Sequence, residues 1–237
     1  MLLNECGSFN TTVWISFDKS KTIKMMSLEA RDLCCIRDDR TLFKQLSFEL
    51  NSGQLLLIEG NNGSGKTSLL RILSGIRLPE EGVVSWNKTG GSQKEQYSVH
   101  SQDGFTGDMS YLGHLDGNKL DLTVTENLKF TLSLSSSNNA PVIPEVLARV
   151  GLDLFDDVLV SNLSAGQRRR LALARLILSG THLWIMDEPF TALDMSGIGV
   201  IEKELLKHLG QGGMIVMTSH HSISFDDENV IRLNLSQ

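Results

Sequence analysis

The strongest constraint on the fold is an eight-residue stretch, GNNGSGKT, at residues 60–67. A continuous apolar run, QLLLIEG, leads into this stretch, and an amphipathic pattern, KTSLLRILSGI, leads out of it. This spacing of glycines, lysine and threonine between a strand and a helix predicts a phosphate-binding loop. A Gly/Ser loop without a ligand is the alternative, and the complete pattern in this setting argues against it.

Each residue type in the loop has a chemical reason to be there. Glycines let backbone N–H groups curl around phosphate oxygens, the amine of Lys66 reaches the β- and γ-phosphates, and the hydroxyl of Thr67 ligates Mg²⁺. The sequence therefore predicts a site for a nucleotide with Mg²⁺. The predicted nucleotide-binding residues are Gly60, Asn61, Asn62, Gly63, Ser64, Gly65, Lys66, Thr67 and Ser68.

Strand and helix patterns alternate around this loop. Two more apolar runs, THLWIMDEP and GMIVMTSHH, are typical of buried parallel strands, and MSGIGVIEKELLKHLG between them has helical spacing. Earlier in the chain, LEARDLCCI and LFKQLSFEL alternate as antiparallel strands do, GVVSWN is a short strand, and residues 88–108 are a loop or weak hairpin. We therefore predict an α/β fold, a P-loop NTPase core with a mixed or parallel sheet, an antiparallel β subdomain and an inserted helical subdomain at about 115–180.

The ends and the composition of the chain narrow the possibilities further. Residues 1–26 fit no regular pattern, so we expect a disordered extension or a translation start assigned too early, with the folded domain at 27–237. No apolar run approaches the roughly 20 residues that a membrane-spanning helix needs. Cys6, Cys34 and Cys35 lack metal-type spacing, and plain burial of the adjacent pair is the simplest interpretation.

The charge pattern argues against nucleic acid as a partner. A net charge of -6 does not supply the basic field that a non-specific binder needs to release phosphate counterions. Residues 168–170, RRR, are a local exception, and we interpret them as the solvated face of a helix.

Acidic residues follow the second apolar run directly. Asp187 and Glu188 end LWIM, and a carboxylate at the tip of a parallel strand faces the ligand crevice of such a sheet. Asp187 is placed to hold Mg²⁺ opposite Thr67, and Glu188 is placed to polarise an attacking water as general base. His220 ends the third run, where its side chain can contact a γ-phosphate, whereas His221 has the opposite phase.

A second anion site is predicted at LSAGQRRR, residues 163–170. Ser164 and Gln167 have the spacing of a capping box, and the small residues Ala165 and Gly166 leave backbone N–H groups of the helix start accessible. The chain thus has two helix starts that suit phosphate, although the first already forms a complete loop.

In this order, the motifs resemble those of the ATP-binding cassette family over roughly residues 28–235. LSAGQ is similar to the family's signature, TALD to its D-loop and TSH to its switch histidine. The resemblance implies that two cassettes pair head to tail, each ATP lying between the phosphate loop of one chain and the signature helix of the other. Ser164, Gly166 and Gln167 would then meet the γ-phosphate bound by a second copy, and Asp194 belongs to the D-loop.

Three positions depart from the family pattern. Arg37 stands where an aromatic residue usually stacks on adenine, and a planar guanidinium can also stack. His114 stands where the family has a glutamine that links the γ-phosphate to the membrane partner, and the relation of Gln102 to that role is left open. Ala165 replaces a signature glycine.

One branch of the family has the greatest likeness, the ATP-binding subunits of bacterial cytochrome c maturation systems. The shared stretches include YLGH, LTVTENL and LWIMDEPFTALD. The resemblance implies an ATPase using ATP and Mg²⁺, peripheral on the cytoplasmic face of the inner membrane and bound to a polytopic membrane subunit. Its hydrolysis would drive haem export or release of a haem chaperone. The alternative is a soluble, non-transport cassette ATPase, for example of the iron–sulfur cluster assembly type.

Overall fold

The computed structural model of the protein describes residues 25–90, 93–100, 106–134, 142–221, 225 and 227–236. The expectation of a disordered extension falls on residues outside this set, except for the last two. Met25 and Met26 already belong to the first strand, and the backbone N–H of the buried Met26 donates to Ser52 Oγ at 3.2 Å. Regular structure therefore begins two residues earlier than predicted. Cys6 and Gln102 also lie outside the described residues.

Fourteen helices and strands make up the described parts of the chain. In chain order they are β1 (Met25–Arg37), β2 (Arg40–Asn51), β3 (Leu55–Glu59), α1 (Lys66–Leu73), β4 (Glu81–Gly90), β5 (Gln93–Ser98), β6 (Met109–Leu112), α2 (Val124–Leu134), α3 (Ile143–Arg149), α4 (Ala165–Ser179), β7 (Leu183–Met186), α5 (Met195–Gly210), β8 (Met214–Thr218) and β9 (Val230–Asn234). Short 3₁₀ turns lie at Thr106–Asp108, Val160–Asn162 and Asp227–Asn229.

Two sheets form the β structure, and both were expected from the sequence. The antiparallel sheet has the order β2-β1-β4-β5, with β4 and β5 forming the hairpin that was one of the two options for residues 88–108. The second sheet has the order β6-β7-β8-β3-β9, and all its neighbouring strands are parallel. The three apolar runs occupy its centre. The edge strands β6 and β9 had no predicted counterpart.

Alternate residues of the central strands enter two different cores. On β3, Leu55 and Leu57 pack with α4 and α5, whereas Leu56 and Ile58 pack with α1 and the antiparallel sheet. The strands β7 and β8 divide their side chains in the same way. A strand buried on both faces must be apolar at every position, which explains the continuous runs in the sequence. Cys34 and Cys35 are buried beside this second core, as expected.

The helical block between β6 and β7 contains α2, α3 and the start of α4. Pro144 lies in the first turn of α3, and Gly151 follows the helix with a φ of 65°, in the left-handed region that favours glycine. None of the helices in the described ranges is long and apolar enough to cross a bilayer.

One buried ion pair ties this block to the parallel core. Arg149 at the end of α3 donates from Nε to Glu204 Oε1 of α5 at 3.1 Å, and its Nη2 donates to Oε2. The side chain of Glu204 is only 4% exposed, whereas that of Arg149 is 20% exposed. Because Glu204 is almost completely desolvated, its charge depends on this one bidentate partner.

We expect Arg149→Ala to lower the free energy of unfolding by about 3 kcal/mol, because it leaves a buried carboxylate unpaired. Urea unfolding monitored by circular dichroism measures the change. The double variant Arg149→Met/Glu204→Leu should recover most of the loss, since it removes both charges and keeps the volume. Glu145→Ala is the control, because Glu145 lies 3.9 Å from the same guanidinium at an exposed position. A double variant as unstable as Arg149→Ala would contradict this explanation.

Candidate functional site

The predicted site residues meet at one edge of the parallel sheet. The carboxyl ends of β3, β7 and β8 lie side by side there, and a parallel α/β sheet binds ligands at this edge. An open cleft of about 1030 Å³ follows it. The predicted residues that line this cleft are Arg37, Asn62, Gly63, Gly65, Lys66, Thr67, Ser68, His114, Asp187, Glu188 and His220.

The phosphate loop has the backbone geometry that its glycines allow. Gly65 precedes α1 with a φ of 103°, and a Cβ there would lie 3.0 Å from Leu42 Cβ of the antiparallel sheet. Glycine is therefore required both by conformation and by space. The Lys66 ammonium donates to Gly60 O at 2.7 Å and to Asn61 O at 3.3 Å, so it lies over the loop.

A residue near the far end of the chain also holds this loop. Ser236 Oγ accepts a hydrogen bond from the backbone N–H of Asn61 at 2.8 Å, and Leu235 N–H donates to Glu59 O at 2.9 Å. Sequence reasoning missed Ser236. The only available signal was the apolar pattern of VIRLN before it, which forms β9 beside β3.

Asp187 is the centre of a hydrogen-bond network between three segments. Its side chain accepts from Thr67 Oγ1 and from Thr218 Oγ1, both at 2.8 Å, and the residue is 4% exposed. Thr218 Oγ1 in turn accepts from Glu188 N–H at 2.9 Å. The network joins the phosphate loop, the end of β7 and the end of β8. Thr218 was not predicted as a site residue, although it directly precedes SHH.

The oxygen ligands at this point suit Mg²⁺. A threonine hydroxyl and a carboxylate lie within hydrogen-bond distance of each other, and Mg²⁺ prefers such hard oxygen ligands. Across the described ranges, no group of three or more His, Cys, Asp or Glu side chains forms a metal cage. The site therefore fits a metal that keeps several waters and takes further ligands from phosphate, as Mg²⁺ does.

Glu188 has an unusual backbone conformation next to this network. Its φ is 51°, in the left-handed region that few non-glycine residues adopt. Its Oε2 accepts from His220 N–H at 3.2 Å, and Oε1 lies 3.4 Å from His220 Nε2. Oε1 is buried and accepts no hydrogen bond from the described residues. A carboxylate oxygen of this kind, at the wall of a polar cleft, can accept a proton.

The pKa values of two other residues on the cleft wall are shifted. Burial raises the pKa of the Tyr111 hydroxyl, and the charge of Asp187 raises it further. Burial also lowers the pKa of the Arg175 guanidinium, although Asp116 partly opposes this shift.

The signature segment has the predicted capping box but lies outside the cleft. Gln167 N–H donates to Ser164 Oγ at 3.2 Å, and Ser164 N–H donates to Gln167 Oε1 at 2.8 Å. Neither these residues nor Gly166 are among the described residues that line the cleft. A Cβ on Gly166 would lie 2.9 Å from Ala192 O, so glycine also serves packing here. Asp194 likewise lies away from the cleft lining and caps α5 by accepting from Gly197 N–H.

The prediction of a solvated arginine face at residues 168–170 is wrong. Arg169 is only 3% exposed, and all three side chains donate to backbone carbonyls. The acceptors include Leu163 O for Arg168, Pro189 O for Arg169, and Val150 O and Gly151 O for Arg170. The sequence could not reveal this, because the acceptors are carbonyls whose positions depend on tertiary structure.

Comparison with known proteins identifies the family. The profile of the ABC transporter family matches residues 43–191. The chain belongs to the ABC transporter family. Two relatives named "Cytochrome c biogenesis ATP-binding export protein CcmA" have similar sequences. The Aliivibrio fischeri protein is 43% identical over 89% of this chain and 100% of its own, and the Vibrio cholerae protein is 44% identical over 88% and 98%.

Solved structures of ABC proteins share the fold. An ABC transporter ATP-binding protein from Pyrococcus furiosus superimposes with a TM-score of 0.71 at 24% identity, covering 88% of this chain and 97% of its own. A structure described as an ATP-binding subunit of an ABC transporter gives 0.72 at 20% identity, covering 88% and 86%. The expected α/β fold with its ABC arrangement is thereby confirmed.

We expect Thr218→Val to lower the free energy of unfolding by about 2–3 kcal/mol, because the fully buried hydroxyl leaves two polar groups unpaired when it is lost. Chemical denaturation measures this change. Thr218→Ser keeps the hydroxyl and is the matched control, which should retain most of the stability. A loss for serine as large as that for valine would contradict this explanation, because serine keeps the hydroxyl and lacks only the methyl group.

Proposed function

We propose that this ABC protein hydrolyses ATP as the nucleotide-binding subunit of an export complex in cytochrome c biogenesis. The observation that carries the proposal is the meeting of the phosphate loop, Asp187, Glu188 and His220 in one cleft. The names of the relatives, which match nearly the whole chain, support the export role over the soluble, non-transport alternative. The process driven by ATP hydrolysis would be haem export or release of a haem chaperone.

Each group of the cleft has a role in this reaction. The loop N–H groups and Lys66 bind the β- and γ-phosphates, and Thr67 and Asp187 would hold Mg²⁺ beside them. When bound there, Mg²⁺ would neutralise charge on the phosphates. Glu188 orients a water and accepts its proton as the water oxygen bonds to the γ-phosphorus and the bond to the β-phosphate oxygen breaks. His220 stabilises the transferring phosphoryl group. Two further residues lie at the cleft wall. Arg37 contacts adenine, and His114 contacts the part of the nucleotide that carries the γ-phosphate.

The signature segment would act on a second copy of the chain. Ser164, Gly166 and Gln167 lie outside the cleft that contains Lys66, although their helix start suits an anion. A head-to-tail dimer brings this helix start to the γ-phosphate of the partner, with the Asp194 segment at the interface. A polytopic membrane subunit would hold the dimer at the cytoplasmic face of the bacterial inner membrane. The net charge of -6 argues against nucleic acid as a partner.

Glu188→Gln should keep nucleotide affinity and lose hydrolysis by a factor of about 10² or more, because the general base is removed while its shape remains. Phosphate release and binding of a fluorescent ATP analogue measure the two effects. At saturating ATP this variant should elute as a dimer in size-exclusion chromatography. Elution as a monomer, or hydrolysis at the wild-type rate, would contradict the proposal.

Mixing two inactive variants should restore hydrolysis if the site is shared between chains. Ser164→Arg damages the signature, and Lys66→Ala damages the cleft. A mixed dimer has one site with both defects and one site with neither. We therefore expect activity in the mixture that neither variant has alone, measured as phosphate release.

The matched control mixes Lys66→Ala with Glu188→Gln. Both defects then lie in the cleft half, so every shared site in the mixed dimer is damaged and activity should stay absent. The shared-site arrangement is contradicted if the Ser164→Arg mixture stays inactive while each variant mixed with wild type keeps activity. Crosslinking of cysteines introduced at Ser164 and Asn62 checks the same geometry directly, since a chain-to-chain product should form only with nucleotide.

A further inference from the structure

The buried side chain of Arg169 uses every donor that a guanidinium has. A guanidinium carries five N–H groups, one on Nε and two on each Nη. The acceptors are Pro189 O at 3.1 Å for Nε, Gly113 O at 3.0 Å and Asp116 Oδ1 at 2.8 Å for Nη1, and Asp187 O and Glu188 O, both at 2.7 Å, for Nη2. A planar cation with this complete set of partners holds two segments in a fixed relative position.

The two segments that Arg169 joins both belong to the cleft. Residues 187–189 follow β7 and include the carboxylates of Asp187 and Glu188, which line the cleft, and residues 113–117 form a loop that also lines it. Asp116 supplies the counter-charge, and its side chain is 25% exposed whereas that of Arg169 is 3% exposed. A cation buried this far is costly unless its hydrogen bonds are complete. Apolar packing between the two segments would not require a buried cation.

Arg169 also fixes the strained backbone of Glu188 from one side. Thr218 Oγ1 accepts from the N–H of Glu188 at 2.9 Å, and Arg169 donates to its C=O at 2.7 Å. The two contacts hold Glu188 at a φ of 51°. A strained backbone angle persists only where the surrounding structure fixes it at more than one point. Loss of the Arg169 contact removes one of these two hydrogen bonds, so the backbone restricts the direction of the carboxylate less.

Further contacts tie the 113–118 region to the same helix. Arg175 Nη1 donates to Asp116 O at 3.0 Å, and Asn118 Nδ2 donates to Arg168 O at 2.8 Å. A displacement of this loop relative to α4 breaks these bonds together with the Asp116 contact. The position of the loop is thus linked through one side chain to the position of Glu188.

We propose that Arg169 is a positioning residue for hydrolysis, which makes the orientation of Glu188 depend on the placement of residues 113–117. The inference rests on the proposed function, because it takes Glu188 as the group that accepts the proton of water. Arg169 touches neither nucleotide nor water in this scheme. It acts on kcat through the backbone of residues 187–189 and leaves the phosphate loop, and so nucleotide affinity, unchanged.

The test compares Arg169→Met with Arg170→Met in the full-length chain. Arg170 is the next residue on α4 and also donates to two carbonyls, but those belong to residues 150 and 151 in the helical block. We expect Arg169→Met to lower kcat by about 10²-fold with the Kd of a non-hydrolysable ATP analogue within twofold of wild type, because small misplacement of a catalytic group has effects of that size. Arg170→Met should keep the wild-type kcat.

Two milder changes keep the inference testable if Arg169→Met does not fold. Arg169→Lys retains the positive charge, but one ammonium with three donors cannot join both segments as the guanidinium does, so we expect a loss of roughly tenfold in kcat with unchanged Kd. Asp116→Ala combined with Arg169→Lys should lower kcat little more than Arg169→Lys alone, because both changes break one link. Fully additive effects would overturn the link between the loop and Glu188.

The outcomes separate this inference from the proposed function. If Glu188→Gln is inactive while Arg169→Met and Arg169→Lys hydrolyse ATP as fast as Arg170→Met, the positioning role is wrong and the catalytic assignment stands. If Glu188→Gln hydrolyses ATP at the wild-type rate, the proposed function itself fails. A fall in affinity equal to the fall in kcat would also overturn the inference, since it would indicate general damage to the cleft.

Discussion

The arrangement of the cleft depends on the buried carboxylate of Asp187. A charge that is almost completely removed from water must find donors in the protein, and the hydroxyls of Thr67 and Thr218 are those donors. One hydroxyl belongs to the first turn after the phosphate loop and the other to the end of β8. Their hydrogen bonds therefore set the spacing of three chain segments with an accuracy that apolar packing between the same segments would not provide.

The apolar character of the sheet explains why the polar groups gather at this edge. Each residue of β7, and each residue of β8 before Thr218, faces one of two cores, so neither strand has room for a charged side chain along its length. Polar chemistry can begin only where the strands end. The neighbouring helix α4 contributes from the side, since its start remains accessible while Arg169 turns inward to the carbonyls of residues 187 and 188 at the same edge.

Local patterns explain how much of this could be predicted from the sequence. The phosphate loop, the three central strands, the antiparallel sheet and the capping box at Ser164 each depend on residues close together in the chain, and all were predicted. Arg169 and Ser236 were missed or misread because their partners are backbone groups, which any residue supplies and no motif marks. The edge strands β6 and β9 were missed because each is short and only partly buried, so its apolar pattern is weak.

The strand order also bears on when the site can form during synthesis. β3 precedes the phosphate loop, yet its two neighbours in the sheet, β8 and β9, come more than 150 residues later in the chain. The hydroxyl that fixes Asn61 comes later still, 175 residues away. A ribosome-bound chain that has made the loop thus has a strand with two unpaired edges. Such exposed apolar strands invite aggregation. The phosphate loop consequently reaches its final contacts only after β8, β9 and Ser236 have been added.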